Sequence, residues 1–293
     1  MTIKKVFFLL LTLFLLIFFA MPVFAADENN AIQFIAHRGF SSRAPENTLA
    51  AFRLAGEARF QGCEFDIHPT ADNHWVVMHD MTLLRTTNGV GPLSAYSLDA
   101  LKAFKITSGN HVDNYPDERI PTIEEALDVC AAYHMKPFVE LKAGTQRQLH
   151  ELATLVKDRE DSENVVFISY FPTLLQQLKA ELPNNSMFLV VVQANRLSID
   201  LCRNLDLDGI SFNYIFTPPW IISSIQKAGL IPCAWTVNHA YDMKKLKEKG
   251  VQFMTCNVNI QEAVTANGPD TTGEIILYYL KQIIAVSSGI FAL

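Results

Sequence analysis

Nine short apolar runs alternate with stretches of helical period along this 293-residue chain, and that rhythm constrains its fold more than any other feature. The runs cover residues 32–36, 63–67, 75–78, 137–141, 165–169, 187–192, 209–212, 232–237 and 251–255. Many of their residues are β-branched or aromatic, and Gly, Pro or Asn bounds them, which predicts strands. Between most of them the periodicity predicts helices, over 48–58, 122–134, 146–157, 172–182, 219–228 and 241–249. Strand followed by helix, repeated over about 240 residues, predicts an α/β fold of the TIM (β/α)8-type rather than an open sheet. Two irregularities qualify the pattern. The gap between Ile67 and Val76 is too short for a crossover helix and predicts a hairpin. Residues 85–121 exceed a usual loop and predict a small inserted subdomain at one end of the barrel.

With 49% hydrophobic and 18% charged residues the chain can bury a large core, and no linker or repeat divides it. Its net charge of -6 gives no general attraction for nucleic acid or an anionic membrane, so any bound phosphate must be met by local groups. The ends stand apart. Lys4 and Lys5 precede an apolar run over 6–24, which reads as an export signal over 1–25, with the mature barrel domain over 26–268 in a periplasmic or secreted protein. An uncleaved membrane anchor is the competing reading, since a spanning helix needs ~20 such residues. At the other end, 269–293 reads as an apolar C-terminal helix that starts near Thr271 or Thr272, packs on the barrel, or contacts a membrane or partner. Five cysteines without a CxxC pair argue against zinc, and we assign them no disulfide.

Side chains two apart on a strand share a face. In GCEFDIHPT, Glu64 and Asp66 therefore point one way and Cys63, Phe65 and Ile67 the other, and in KPFVELKAG the same parity groups Glu140 with Lys142. If the apolar faces lie under helices, three carboxylates point into the barrel mouth. Unit charges ~4 Å apart repel by about 4 kcal/mol at an effective dielectric near 20, so the group requires compensation. Carboxylates whose pKa values rise and that hold protons would supply it, as would a divalent cation bound by oxygen alone or structural ion pairs with nearby Arg or Lys. Parity leaves these readings open.

HRG at 37–39, PENTLAAF at 45–52, EFD at 64–66, VVMHD at 76–80, TLLRTTNGVG at 82–91, IPTIEEAL at 120–127, VELK at 139–142 and WTVN at 235–238 occur in an order that resembles the glycerophosphodiester phosphodiesterase family. The resemblance covers most of the mature chain and implies a TIM barrel with an extra subdomain. It implies that Glu64, Asp66 and Glu140 hold one divalent metal ion, magnesium or calcium, and that His37 and His79 are the catalytic acid and base. Arg38 and Lys142 would contact the phosphate, and Trp235 the apolar side of the glycerol pocket. The implied activity is hydrolysis of glycerophosphodiesters to sn-glycerol 3-phosphate and an alcohol, through a cyclic phosphate. Two alternatives stand beside it: a phospholipase D-like or cyclising action on lysophospholipids, and a barrel that binds phosphodiesters without catalysis. The roles suit the chemistry, because cationic groups neutralise phosphoryl oxygens as charge builds and imidazole moves protons near neutrality.

Where family members commonly carry an acidic TD after the last strand, this chain has Thr255-Cys256-Asn257, and the turn usually written DG is Asp72-Asn73. We expect neither change to touch the metal or proton-transfer set. Asp80 is expected either to orient His79 or to face away from it. Glu46, Asn47 and Thr48 read first as a helix start, and Arg85 with Thr86 and Thr87 as a subdomain hinge.

Overall fold

The computed structural model describes residues 32–259, and all nine apolar runs form strands there. These are β1 (Gln33–His37), β2 (Gly62–Pro69), β3 (Trp75–Val77), β4 (Lys136–Leu141), β5 (Val166–Ser169), β6 (Ser186–Val191), β7 (Gly209–Asn213), β8 (Ile231–Trp235) and β9 (Phe253–Cys256). Strand β1 pairs in parallel with both β2 and β9, which closes eight parallel strands in the order β1-β2-β4-β5-β6-β7-β8-β9. The short gap after Ile67 is a hairpin: β3 runs antiparallel to β2, with Ile67 opposite Val77. The protein is thus a TIM-type barrel carrying one extra strand.

Helices α1 (Leu49–Glu57), α2 (Leu98–Ala103), α3 (Ile123–Ala132), α4 (Gln146–Lys157), α5 (Pro172–Glu181), α6 (Arg196–Asn204), α7 (Pro219–Lys227) and α8 (Ala240–Glu248) accompany the strands. Their starts follow local chemistry. Thr122 with Glu125 and Thr145 with Gln148 form capping boxes on α3 and α4, while Pro172 and Pro219 open α5 and α7 where their missing N–H costs nothing. The helical pattern predicted neither α2 nor α6. Helix α6 buries only Ser198, Ile199 and Cys202 along nine residues, so its apolar stripe is thin; its start is marked instead by the Asn195–Ser198 cap.

Strand parity sorts the core into two layers. Phe65, Val139, Phe167, Leu189, Ile210, Phe212 and Ala234 face outward and pack under the helices. Ile35, Phe138, Val166, Ile168, Phe188, Val190, Cys233 and Phe253 face inward and fill the barrel. Phe138, Phe188 and Phe253 meet there with ring centroids 5.2–6.1 Å apart, closing the interior. Between β3 and α3 the chain builds a smaller cluster from Val76, Met78, Leu83, Leu93, Leu101, Ile106 and Ile120. All five cysteines are buried free thiols. The export segment read over 1–25 and the apolar helix read over 269–293 lie outside the described residues. No helix among the described residues is long and apolar enough to cross a membrane.

Candidate active site

The chain leaves β1 through HRG, and the geometry explains each residue type. Arg38 adopts a left-handed backbone (φ 57°) that turns the chain sharply, and Gly39 follows at φ 78°. A Cβ on Gly39 would lie 2.7 Å from Ala51 Cβ and 2.8 Å from its carbonyl carbon, so only glycine lets the turn close on α1. The turn places the Arg38 N–H 2.9 Å from Glu64 Oε2 and its Nη1 3.0 Å from Glu46 Oε1. Its buried Nε lies 3.6 Å from Asp66 Oδ2 and makes no hydrogen bond among the described residues. That donor is available to a bound oxyanion.

Glu64, Asp66 and Glu140 converge as parity predicted. All three are buried, with ligand oxygens within 4.8 Å of one another. Lys142 donates to Asp66 Oδ1 at 2.9 Å and to Glu140 Oε1 at 2.7 Å. Asn47, also left-handed, holds Asp66 from the other side, donating from Nδ2 to Oδ2 at 2.8 Å and accepting the Asp66 N–H at 3.3 Å. Burial would raise the Asp66 pKa, but Lys142, then His79 and Arg38, hold its carboxyl well below the usual range. Glu64 is less well compensated: burial first, then Asp66 and Glu140, push it well above the usual range against the pull of Arg38. Burial likewise raises Glu140, against the pull of Lys142. Ion pairing therefore outweighs burial at Asp66 but not at Glu140 or at Glu64, whose neighbours are the Arg38 amide and charge and His37 Nε2 at 4.0 Å, and three carboxylates outnumber two cationic side chains. The donor set fits a divalent, oxygen-preferring ion, which would relieve the groups that the protein leaves less well compensated.

The two imidazoles differ in their partners. His79 Nδ1 donates to Asp80 Oδ1 at 2.7 Å. Asp80 also accepts from Arg85, at 2.7 Å from Nε and 2.8 Å from Nη2, and Arg85 reaches Glu46 at 2.7 and 3.1 Å. Asp80 thus orients His79, because β3 ends at Val77 and strand parity no longer applies two residues later. Arg85 is a bridge across the mouth rather than a hinge, and Glu46, held near a pKa of about 2 against burial chiefly by Arg85 and Arg38, is its other abutment. Only Thr48 serves as the helix cap, accepting the Ala51 N–H.

His37 meets a neutral partner: its Nδ1 lies 2.7 Å from Asn257 Oδ1. The expectation that the Thr255-Cys256-Asn257 departure leaves the proton-transfer set untouched is therefore wrong. Asn257 lies one residue beyond β9 and continues the alternation of Phe253 and Thr255, a signal that could have located it. Burial, then Arg38, lowers the His37 pKa to about 4, and the Asn257 hydrogen bond does not offset them. Across the mouth, Trp235 ends β8 and packs edge-on against Tyr170, with ring centroids 6.5 Å apart. Burial, then the charge of Glu140, raises the Tyr170 pKa.

Residues 37–258, which include this entire constellation, match the sequence profile of the Glycerophosphoryl diester phosphodiesterase family. The chain belongs to the glycerophosphodiester phosphodiesterase family. Within that family it is 31% identical over 225 residues to the glycerophosphodiester phosphodiesterase of Caldanaerobacter subterraneus subsp. tengcongensis, covering 74% of this chain and 90% of that protein. It is 34% identical over 150 residues to human glycerophosphodiester phosphodiesterase 1, a match over 50% of this chain and 45% of the human one. An Oleispira antarctica phosphodiesterase solved with its product, sn-glycerol-3-phosphate, superposes with a TM-score of 0.74 at 29% identity, covering 80% of this chain and 98% of that one. In this member of the glycerophosphodiester phosphodiesterase family, the C-terminal end of the barrel brings together acid groups able to hold an ion, cations able to grip a phosphoryl group, and two imidazoles able to move protons.

Proposed function

We propose that this protein hydrolyses glycerophosphodiesters to sn-glycerol 3-phosphate and an alcohol, with Glu64, Asp66 and Glu140 holding magnesium or calcium. The observation that carries the reading is the buried carboxylate triad beside Arg38 and Lys142, with one imidazole held by an amide and the other by a carboxylate. Bound by the triad, the ion would act as a Lewis acid toward the phosphoryl oxygens. Arg38 presents its unpartnered Nε, and Lys142 its ammonium, to the same oxygens.

The partners divide the proton transfers. His37 donates Nδ1–H to Asn257, which leaves the Nε2 lone pair free, and its low pKa keeps it neutral; it is the base that takes the proton from a hydroxyl of the substrate's glycerol. That oxygen attacks phosphorus. His79, oriented by its hydrogen bond to Asp80, gives its proton to the departing alcohol. A five-membered cyclic phosphate results, and water opens it with the two roles reversed, returning each imidazole to its starting state.

A second reading, turnover of lysophospholipids, draws support from the exposed Phe171 after β5, Leu197 after β6 and Trp220 after β7. In a parallel barrel those loops share the C-terminal face, so apolar side chains rim the mouth. Turnover of glycerophosphocholine against its acylated counterpart separates the two. We expect the deacylated diester to give the higher kcat/KM; a preference for the acylated compound replaces the first reading with the second. We further propose that the protein is exported through residues 1–25, which N-terminal sequencing of the mature chain tests.

A further inference from the structure

The mouth of the barrel has a charged half and a neutral half. His37, Glu64, Asp66, Glu140 and Lys142 come from β1, β2 and β4, whereas β7 and β8 contribute Asn213 and Trp235, which are register neighbours. Strand β7 stands four strands from β2 in either direction round the barrel. Phe212 packs outward under the helices, so Asn213 points inward at the last position of its strand.

Asn213 is 1% exposed, and its amide has a fixed orientation. Its Oδ1 accepts the Ile215 N–H at 3.0 Å, holding the turn out of β7. Its Nδ2 is buried, and it has no hydrogen-bond partner among the described residues. The same is true of Trp235 Nε1. Two buried N–H donors on adjacent strands, both without acceptors, are destabilising unless a ligand supplies the acceptor. Both are neutral and neither has a cation beside it among its partners, so they suit a hydroxyl oxygen better than a second anion. The edge-on Tyr170 and Trp235 rings give the carbon atoms of such a ligand an apolar wall.

We propose that Asn213 Nδ2 and Trp235 Nε1 together bind the glycerol hydroxyl farthest from phosphorus, making Asn213 a specificity-determining residue. The assignment rests on the diesterase reading and deepens it: with the phosphoryl group on the charged half, the glycerol chain extends toward β7 and β8. It gives Trp235 a polar function in addition to its apolar surface.

The test compares glycerophosphocholine with the analogue whose glycerol is replaced by propane-1,2-diol, which keeps the hydroxyl nearest phosphorus and lacks the terminal one. The wild type is expected to favour the glycerol compound by about tenfold or more in kcat/KM, since a site built for a hydroxyl rejects the analogue without it. Asn213→Ser keeps a side-chain acceptor for the Ile215 N–H but is too short to reach the ligand, and Trp235→Phe keeps the wall without its N–H. Each is expected to bring the ratio toward one, and thermal melting confirms that the variants compared are folded. A wild type that handles both compounds equally overturns the assignment, as do folded variants that retain the full preference. Turnover of neither compound by the wild type refutes the diesterase reading itself and this assignment with it.

Discussion

Replacing Asn257 by aspartate puts a negative charge where a neutral amide now accepts from His37 Nδ1 at 2.7 Å. In the native protein, burial and the neighbouring Arg38 guanidinium hold His37 at about 4, so it is neutral throughout the physiological range. A unit charge about 4 Å from the imidazole, at an effective dielectric near 20, interacts by about 4 kcal/mol, or about three pH units. Some of that is lost to reorganisation around Ser41, whose hydroxyl also points at Asn257 Oδ1. The His37 pKa in Asn257→Asp should then rise to between about 6 and 7. A base must be unprotonated to act, so the acid limb of kcat/KM for glycerophosphocholine should move from near pH 4 toward neutrality, with the alkaline limb unmoved. At pH 5 the variant should retain only a few per cent of wild-type activity, and at pH 8 most of it. The His37 ring resonances, followed by NMR in the protein without metal, should titrate at the same displaced value. An acid limb that stays in place while the NMR pKa moves would show that His37 is not the base; a pKa that does not move would show that Asn257 does not hold it.

Asp80→Asn should lower kcat by about 100-fold or more at neutral pH while KM changes little, because the amide no longer holds His79 in the orientation that proton transfer needs; an equal rise in KM instead would mean that Asp80 acts on binding, and steady-state kinetics separates the two. Glu46→Gln should cost stability that depends on pH. The folded carboxyl sits near 2 and the unfolded one near 4.5, so its contribution is present above pH 4.5 and is lost as pH falls toward 2. The full shift corresponds to about 3 kcal/mol, an upper bound for a group partly screened at the mouth. The stability difference between wild type and variant in urea melts should therefore shrink below pH 4.5, and a difference that is constant from pH 7 to 3 contradicts the ion-pair bridge.

Strand periodicity made much of this site legible in the sequence. Glu64, Asp66 and Glu140 could be grouped because β2 and β4 remain regular through those positions, so alternation carries each side chain to the face it was assigned, and Lys142, one residue past β4, still reaches Asp66 and Glu140. Where regular structure ends, that inference ends too. His79 and Asp80 lie beyond β3, and their hydrogen bond depends on a turn that no alternation describes. Arg85 reads locally as part of a threonine-rich loop, yet its two partners sit 5 and 39 residues away and meet it only through the tertiary fold. Asn257 is 220 residues from His37, and only barrel closure between β1 and β9 brings them together. Its inward parity was readable, but its partner was not. Asn47 was read as a helix start because asparagine suits that position, while its function depends equally on an amide that clamps Asp66.

The proposed hydrolysis depends on a divalent ion at Glu64, Asp66 and Glu140, which are placed so that they could hold one. The direct measurement is turnover of glycerophosphocholine by exhaustively chelated protein, before and after addition of magnesium or calcium, with Glu64→Gln measured alongside. We predict no detectable turnover after chelation, recovery on adding back one of these ions, and no recovery in the variant. Full activity in the chelated protein, or undiminished activity in Glu64→Gln, would contradict it.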